Sequence, residues 1–408
     1  MPGCRKRDSG LNASLTSRPL IVGAGIAGLT LSLALARLGL RSRVLEARPS
    51  ATTDGAGIQL GPNATSILGE LGVLDAVTKH AGKPRSIVVR KIADGQIIST
   101  LPLPTPDQSG DQAPYLVVHR SALHDALLAA ATASDEIELR FGFDCREISL
   151  GETGVKVRSG EGETETGQLV VGCDGVWSRT REVIAPEFQL PYSGMIAART
   201  IVPVDQAPMS LRDENTGVWL GPDAHIVKYP IDAGQSIALI AVSRHPQRLQ
   251  GWGRDVDRQA VLQRLPSHEP ALAALLGAAP VWRQWALYDP SPLSKWWSGR
   301  AAVIGDAAHP ILPFLAQGGA MAVEDAFCLA TLLQEHGGPA AFPVFDRQRR
   351  DRINAVQSAS RKNGQIYHLS GVSAAARDVT MRLFSARQLM RRYDWIYKWR
   401  HSCSDKTS

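Results

Sequence analysis

The chain has 408 residues, 44% of them apolar and 21% charged, which is enough for two or three domains with ample cores and is ordinary for a soluble globular protein. Its five cysteines, Cys4, Cys145, Cys173, Cys328 and Cys403, lack metal-ligand spacing and are too sparse for a disulfide framework, so reduced thiols in a cytoplasm are expected. The net charge of +6 gathers late, with 13 Lys/Arg against 4 Asp/Glu between Ala341 and Arg400. Such a field suits solvation or the attraction of anions, and no nucleic-acid recognition motif accompanies it.

Residues 1–17 are polar, include Arg5-Lys6-Arg7 and have no apolar central stretch, so they read as a disordered arm rather than a secretory signal. Leu20 to Leu40 is nearly all apolar and long enough to raise a membrane span, but three glycines in its first half fit a strand, a turn and a buried helix better. Pro19–Val22 is the strand, Ile26–Leu38 the helix, Gly39 its stop and Ser42–Glu46 the next strand, a βαβ start that calls for a parallel sheet. Ser121–Ala131 reads as a helix with Ser121 as its N-cap. Val155–Arg158 and Gln168–Gly172 read as strands around a turn rich in Gly and Glu.

From about Pro191 to Trp285 short β-like runs ("HIVKYPI", "SIALIAVS") alternate with turns such as Gly221-Pro222-Asp223 and Ala233-Gly234, which implies an interleaved, mostly antiparallel domain. Ala301–Ile304 returns to the parallel style, and the chain after Phe342 reads as helical. The fold class is α/β: a Rossmann-like domain with a parallel sheet, an interleaved antiparallel β domain and a helical C-terminus.

Three motifs carry chemistry. "GAGIAG" sits between strand and helix: Gly23 permits the tight turn, Gly25 lets a pyrophosphate approach the backbone, and Gly28 lets helix and strand pack. Glu46 ends the next strand, 18 residues after Gly28, placed for a ribose hydroxyl pair. "VVGCDGVWSRTRE" (Val170–Glu182) runs a strand into Asp174-Gly175 and a helix start; by itself, Asp-Gly is an ordinary turn choice.

"AAVIGDAAHPILPFLAQGGAMAVEDA" (Ala301–Ala326) places Asp306 at a strand's end, stiffens a loop with Pro310 and Pro313, and opens a helix at Gln317-Gly318-Gly319-Ala320 whose free N–H groups can face an anionic ring edge. His309 reads as a loop histidine with a satisfied hydrogen bond. In "AHIVKYP", strand alternation puts His225, Val227 and Tyr229 on one face and Ile226 and Lys228 on the other.

Together the three motifs resemble the FAD-dependent aromatic hydroxylases, the single-component group typified by 4-hydroxybenzoate hydroxylase, from about Pro19 to Trp399. "AGIQLGPNA" (Ala56–Ala64), His119-Arg120, "GPDAHIVKYP" and "RRYDWIY" look most like the salicylate, 3-hydroxybenzoate and 6-hydroxynicotinate hydroxylases. The resemblance implies non-covalent FAD held at Gly23, Gly25, Gly28 and Glu46, with Arg120 at the pyrophosphate or ribityl region. Asp306 would take the ribityl chain, the Gly318, Gly319 and Ala320 amides the pyrimidine edge, and Asp174 a motif linked to both FAD and NAD(P)H.

NAD(P)H would bind transiently as co-substrate, since no second G-x-G-x-x-G exists. The reaction implied is hydroxylation of a small aromatic acid or phenol with O2 through a flavin hydroperoxide. His225 and Tyr229 would handle the substrate hydroxyl, Pro313 would shape the wall at the flavin, and Arg199 would line the substrate pocket. Many relatives carry an aromatic residue before that arginine where this chain has Ala198, which implies an unusually open wall if Arg199 lines the pocket.

Other readings of the same motifs are an epoxidase or tailoring oxygenase acting on a polyketide or isoprenoid, and a flavin-binding protein without turnover. The expected organisation is an FAD-binding domain in two parts, 18–190 and 286–335, a substrate domain at 191–285 and a helical region at 336–408. The basic "RRYDWIYKWR" segment suits a membrane surface or a homodimer interface; no long apolar tail follows it, which favours the latter.

Overall fold

The computed structural model describes residues 18–50, 57–104, 113–249 and 253–401. The expected N-terminal arm, Ala56, Cys4 and Cys403 lie outside them. Leu20–Val22 is buried on both faces, as a strand inside a parallel sheet must be. It pairs in parallel with Ser42–Glu46 and with Val170–Gly172. The complete sheet runs Trp297–Ser298, Ala301–Val303, Val170–Gly172, Leu20–Val22, Ser42–Glu46, Ile137–Phe141, and is parallel except for its first strand.

The helix after the first strand, Ile26–Arg37, is buried over most of its length and packs on the helix Gly318–His336. Gly39 ends it at φ +74°, with Gly39 N–H donating to Ala36 O and Leu40 N–H to Leu35 O. These are the paired bonds of a Schellman stop.

The second sheet has eight strands in the order Arg254–Val256, Trp282–Tyr288, Tyr192–Pro203, Ser236–Arg244, Ala224–Ile231, Thr216–Gly221, Ser86–Lys91, Ile97–Pro102. Six of these come from the segment that reads as an interleaved β domain. The last two come from far earlier in the chain, and Ser86–Lys91 joins Thr216–Gly221 in parallel. Long-range pairing of this kind leaves no local sequence mark, so the β domain gathers strands from outside its expected bounds. Thr164–Gly167 is a further strand where only a turn was expected, completing a three-stranded antiparallel sheet.

The helix Arg120–Thr132 is capped by His119, whose ring accepts from Ser121 N–H, so Ser121 lies inside the helix instead of capping it. After Ala341 the described chain is helical: Ala341–Tyr367, Gly371–Leu383, Ala386–Arg391 and Asp394–Tyr397. No described helix is long and apolar enough to cross a membrane, and the described residues hold no group of three or more His, Cys, Asp or Glu placed for a metal ion.

Candidate active site

The glycine turn has the geometry its sequence implies. Gly23 adopts φ +102°, and a Cβ there would meet Cys173 O at 2.6 Å. A Cβ on Gly28 would meet Gly23 O at 2.0 Å, so only glycine lets helix and strand approach. A Cβ on Gly25 would meet nothing within 4 Å, so the backbone there stands open to a ligand. The helix N-terminus at this turn has no side-chain cap, and its free N–H groups remain for an anion. Glu46 is buried; Oε2 accepts from Ala24 N–H at 2.8 Å and Oε1 from Arg48 Nε at 2.8 Å. Burial would raise its carboxyl pKa, but the bonds from Arg48 and Ala24 outweigh that and hold it below the usual value.

A cavity of about 1240 Å³, counting the part open to solvent, connects this turn to the second sheet. Gly25, Arg120, Asp306, Gly318 and Gly319 line it on one side, and Arg199, His225, Val227, Tyr229, Ile240 and Val242 on the other. Pro313 also lines it. Ala320 is buried behind Gly319 and exposes no side chain to the cavity. The helix that starts at Gly318 again lacks a side-chain cap. Glycines without Cβ at the approach points, two uncapped helix N-termini, the Asp306 carboxylate in the cavity and Glu46 bonded to the glycine turn fit a dinucleotide, so the residues present fit FAD.

Asp174 behaves differently from its neighbours. Its carboxylate accepts from Ser178 Oγ at 2.5 Å, Thr180 N–H at 3.0 Å and Thr180 Oγ1 at 3.2 Å, and so braces the start of the helix Arg179–Ile184. Burial still holds its carboxyl above the usual range against those bonds. The cavity wall takes Cys173 and Gly175 from this motif, not Asp174. Arg181, which the sequence did not single out, is buried and donates to Ala307 O at 2.9 Å, tying this motif to the Asp306 loop.

On the opposite wall strand alternation is as the sequence implies: His225, Val227 and Tyr229 face the cavity, while Ile226 joins a separate apolar cluster and Lys228 donates to Leu211 O at 2.7 Å. Arg199, Ile240 and Val227 lie in one cross-strand row. Arg199 Nε is buried with no hydrogen-bond partner among the described residues, and its guanidinium lies 5.1 Å over the Trp285 ring. Burial lowers its pKa from the ordinary value, with Tyr229 opposing and Arg120 adding. Ala198 does not thin this wall. As the neighbour of Arg199 on a strand it points to the other face, into the cluster with Trp219 and Ile226.

Tyr229 is fully buried, and its hydroxyl donates to Gly57 O at 2.7 Å. It therefore offers a ligand a lone pair and not a proton. His225 Nδ1 lies 2.8 Å from His368 Nε2, a partner 143 residues away that the sequence did not suggest. His309 is satisfied at Nε2 by Asp325 at 2.5 Å.

The FAD binding domain family matches residues 17–361. The chain belongs to that family. Across 94% of its length it is 31% identical to a 3-hydroxybenzoate 6-hydroxylase of Klebsiella oxytoca, covering 97% of that protein. It is 30% identical to a 6-hydroxynicotinate 3-monooxygenase of Bordetella bronchiseptica, over 85% of this chain and 91% of that one. Among solved structures, a salicylate hydroxylase substrate complex superposes with TM-score 0.80 at 23% identity, over 95% of this chain and 97% of that one. Klebsiella pneumoniae HpxO with FAD and uric acid gives 0.81 at 24%, over 92% and 95%. The α/β fold is thus shared with FAD-dependent hydroxylases, and the protein is an FAD-dependent monooxygenase.

Proposed function

We propose that this enzyme adds a hydroxyl to a small aromatic ring that already bears a hydroxyl and an anionic group, as in the hydroxybenzoates and hydroxynicotinate of its relatives' names. The observation that carries the reading is the wall facing the Gly318–Gly319 amides: Arg199, without a hydrogen-bond partner at its buried Nε, and His225, buried with one ring nitrogen engaged.

Gly23, Gly25, Gly28, Glu46, Arg120, Asp306, Gly318 and Gly319 would hold FAD. When bound, FAD supplies the redox chemistry that joins NAD(P)H oxidation to O2 activation. The chain's own work is positional and electrostatic. Arg199 attracts the substrate's anionic group, and Val227, Ile240 and Val242 exclude water from the ring. His225 takes the phenolic proton at Nε2, because a phenolate ring is far more nucleophilic than a phenol. Tyr229 steers the hydroxyl with its lone pair. Pro313 fixes the wall between the two faces, and the uncapped N-terminus at Gly318 favours negative charge on the reduced cofactor.

The reading also takes the enzyme as a cytoplasmic homodimer, supported by the free, buried thiols of Cys145, Cys173 and Cys328 and by the basic C-terminal helices. Light scattering checks the dimer. The main test incubates purified holoenzyme with NADH or NADPH and a panel of hydroxybenzoates and hydroxypyridines. Aromatic-stimulated cofactor oxidation and a product heavier by one oxygen atom are expected. Oxidation indifferent to every aromatic acid, or stimulated by polycyclic substrates alone, overturns the reading. Asp306→Ala removes a charged acceptor, worth about 1.5–3 kcal/mol, so FAD retention should weaken by roughly 10- to 150-fold.

A further inference from the structure

His225 is 2% exposed, whereas His368, which follows the Ala341–Tyr367 helix, is partly exposed. Their ring centroids are 5.0 Å apart, and Phe314 and Tyr367 close on His225 edge-on at 5.5 and 5.2 Å. On its outer side His368 feels Asp223 and Arg244, a surface pair 3.5 Å apart. The 2.8 Å contact from His225 Nδ1 to His368 Nε2 is therefore a hydrogen-bonded step from the cavity toward the edge of the protein.

A base that takes a proton and keeps it here becomes a buried cation. Burial and then the neighbouring imidazole hold His225 well below its ordinary value. Burial likewise holds His368 down to about 4, with Asp223 pulling it up and Arg244 pushing it down. His225 alone is therefore a poor final resting place for the substrate's proton. A pair of imidazoles solves this by passing one proton on as another arrives.

The geometry points to His368 as a positioning residue that relays the phenolic proton from His225 to solvent. The inference rests on the reading of His225 as the acceptor of that proton. As the substrate O–H bond breaks, an N–H bond forms at His225 Nε2. The proton on His225 Nδ1 moves to His368 Nε2, and the proton on His368 Nδ1 passes to water. Both rings end neutral in their alternate tautomers, and the phenolate charge stays in the cavity beside Arg199. One proton has left the phenol and one has entered solvent.

The test uses FAD-loaded enzyme without NAD(P)H and the probe 3-hydroxy-4-nitrobenzoate, whose phenolate and phenol absorb differently. Stopped-flow difference spectra give the rate of ionisation after binding, and a pH indicator in weakly buffered solution reports the released proton. In the wild type the two signals should coincide. His368→Phe should bind the probe and FAD as the wild type does, yet ionise the probe about 10²-fold more slowly, the low end of what a positioned acid–base group contributes. Added imidazole should restore the rate, and the pH profile of ionisation should move. His368→Gln, which keeps a hydrogen bond but cannot relay, should match the Phe variant. Wild-type rates in both variants, with no response to imidazole, overturn the relay and leave the reading of His225 standing. A wild type that binds the probe without ionising it overturns the reading of His225 and the relay together.

Discussion

On one side of the loop 305–315 the chain buries full charges and pairs them all; on the other it buries polar groups and leaves them short of partners. Beneath the loop, Glu324 and Asp325 are both inaccessible to solvent. Arg349 donates to Asp325 at 2.8 Å and to Glu324 at 2.8 Å, and Arg352 donates twice to Glu324, at 2.7 and 2.8 Å. Asn63 adds a bond to Glu324 at 2.7 Å, and His309 and Gly305 N–H both donate to Asp325.

Above the loop, Arg199 Nε and Thr216 Oγ1 have no partner among the described residues, and the two imidazoles have chiefly each other. The difference separates two uses of buried polarity. The paired network holds the Gly305 backbone, and with it the direction of Asp306. In the function proposed above, the unpaired wall is what a ligand would complete, at a cost in stability that active sites commonly carry.

The widest gap between the regions should appear on removing His225. His225→Asn should fold and retain FAD, because it keeps a hydrogen bond to His368. Product formed per NAD(P)H consumed should fall by about 10²–10⁴, the usual contribution of a positioned acid–base group, with hydrogen peroxide accounting for the lost oxygen. Wild-type coupling and pH profile in this variant would make the histidine pair structural and put the two regions in one class.

Arg349→Met should do the reverse. Two buried carboxylates lose a shared cation, and breaking such a pair costs about 3–5 kcal/mol. The thermal midpoint should drop sharply in both the apo and FAD-loaded protein, while the coupling of whatever protein folds stays near wild type. An unchanged midpoint would mean that Arg352 and His309 alone satisfy Glu324 and Asp325.

Arg199→Leu tests the contrast by sign. Replacing a partly buried cation that lacks full pairing should leave stability unchanged or raise it. Affinity for aromatic carboxylates should weaken by roughly 10- to 150-fold, the equivalent of about 1.5–3 kcal/mol for a lost charged hydrogen bond. Calorimetry with benzoate analogues reads both halves. A marked loss of stability with affinity intact would show Arg199 to be held by its stacking on Trp285 and not reserved for a ligand.

What could be seen beforehand follows the range of the interactions. The Gly23–Gly28 turn, Glu46 and the shared face of His225 and Tyr229 were legible because backbone sterics and the two-residue strand period act over a few positions. His368 was not, because its contact with His225 spans 143 residues and nothing around "IYHLS" marks it. Glu324 and Asp325 in "MAVEDAFCLA" carry no local mark of burial; only the long helix bearing Arg349 and Arg352 turns them into a buried network. Ser86–Lys91 and Ile97–Pro102 joined the second sheet unseen for the same reason. Asp174 shows the converse: its Asp-Gly turn reads by itself as ordinary, and its carboxylate accepts from Ser178 and Thr180 at the start of the following helix.

The smallest expected effect separates the regions by pH. Asp325 is fully buried, which would raise its carboxyl, but His309 and Arg349 overcome this and hold it down to about 2. Its stabilising contribution is therefore complete above the unfolded value near 3.8 and is lost only as pH falls from there toward 2. The histidine pair titrates in another window. An unfolded imidazole takes its proton near pH 6.5, whereas folded His368 does so near 4 and burial holds His225 well below its ordinary value as well.

Between 6.5 and 4 the unfolded chain thus binds protons that the folded chain refuses, and stability falls as pH falls. One unit below 6.5 each such histidine costs up to about 1.4 kcal/mol, less where solvent reaches it. Denaturant midpoints from pH 7.5 to 4.5 should accordingly slope downward in the wild type and less steeply in His368→Gln, which removes one refused proton. Both proteins should bend downward again only below about 3.8, where Asp325 takes a proton in the unfolded chain that the folded chain refuses until about 2. Parallel slopes for the two proteins across pH 6.5 to 4.5 would show that His368 titrates alike in the folded and unfolded chain, and the contrast between the two regions would then rest on geometry alone.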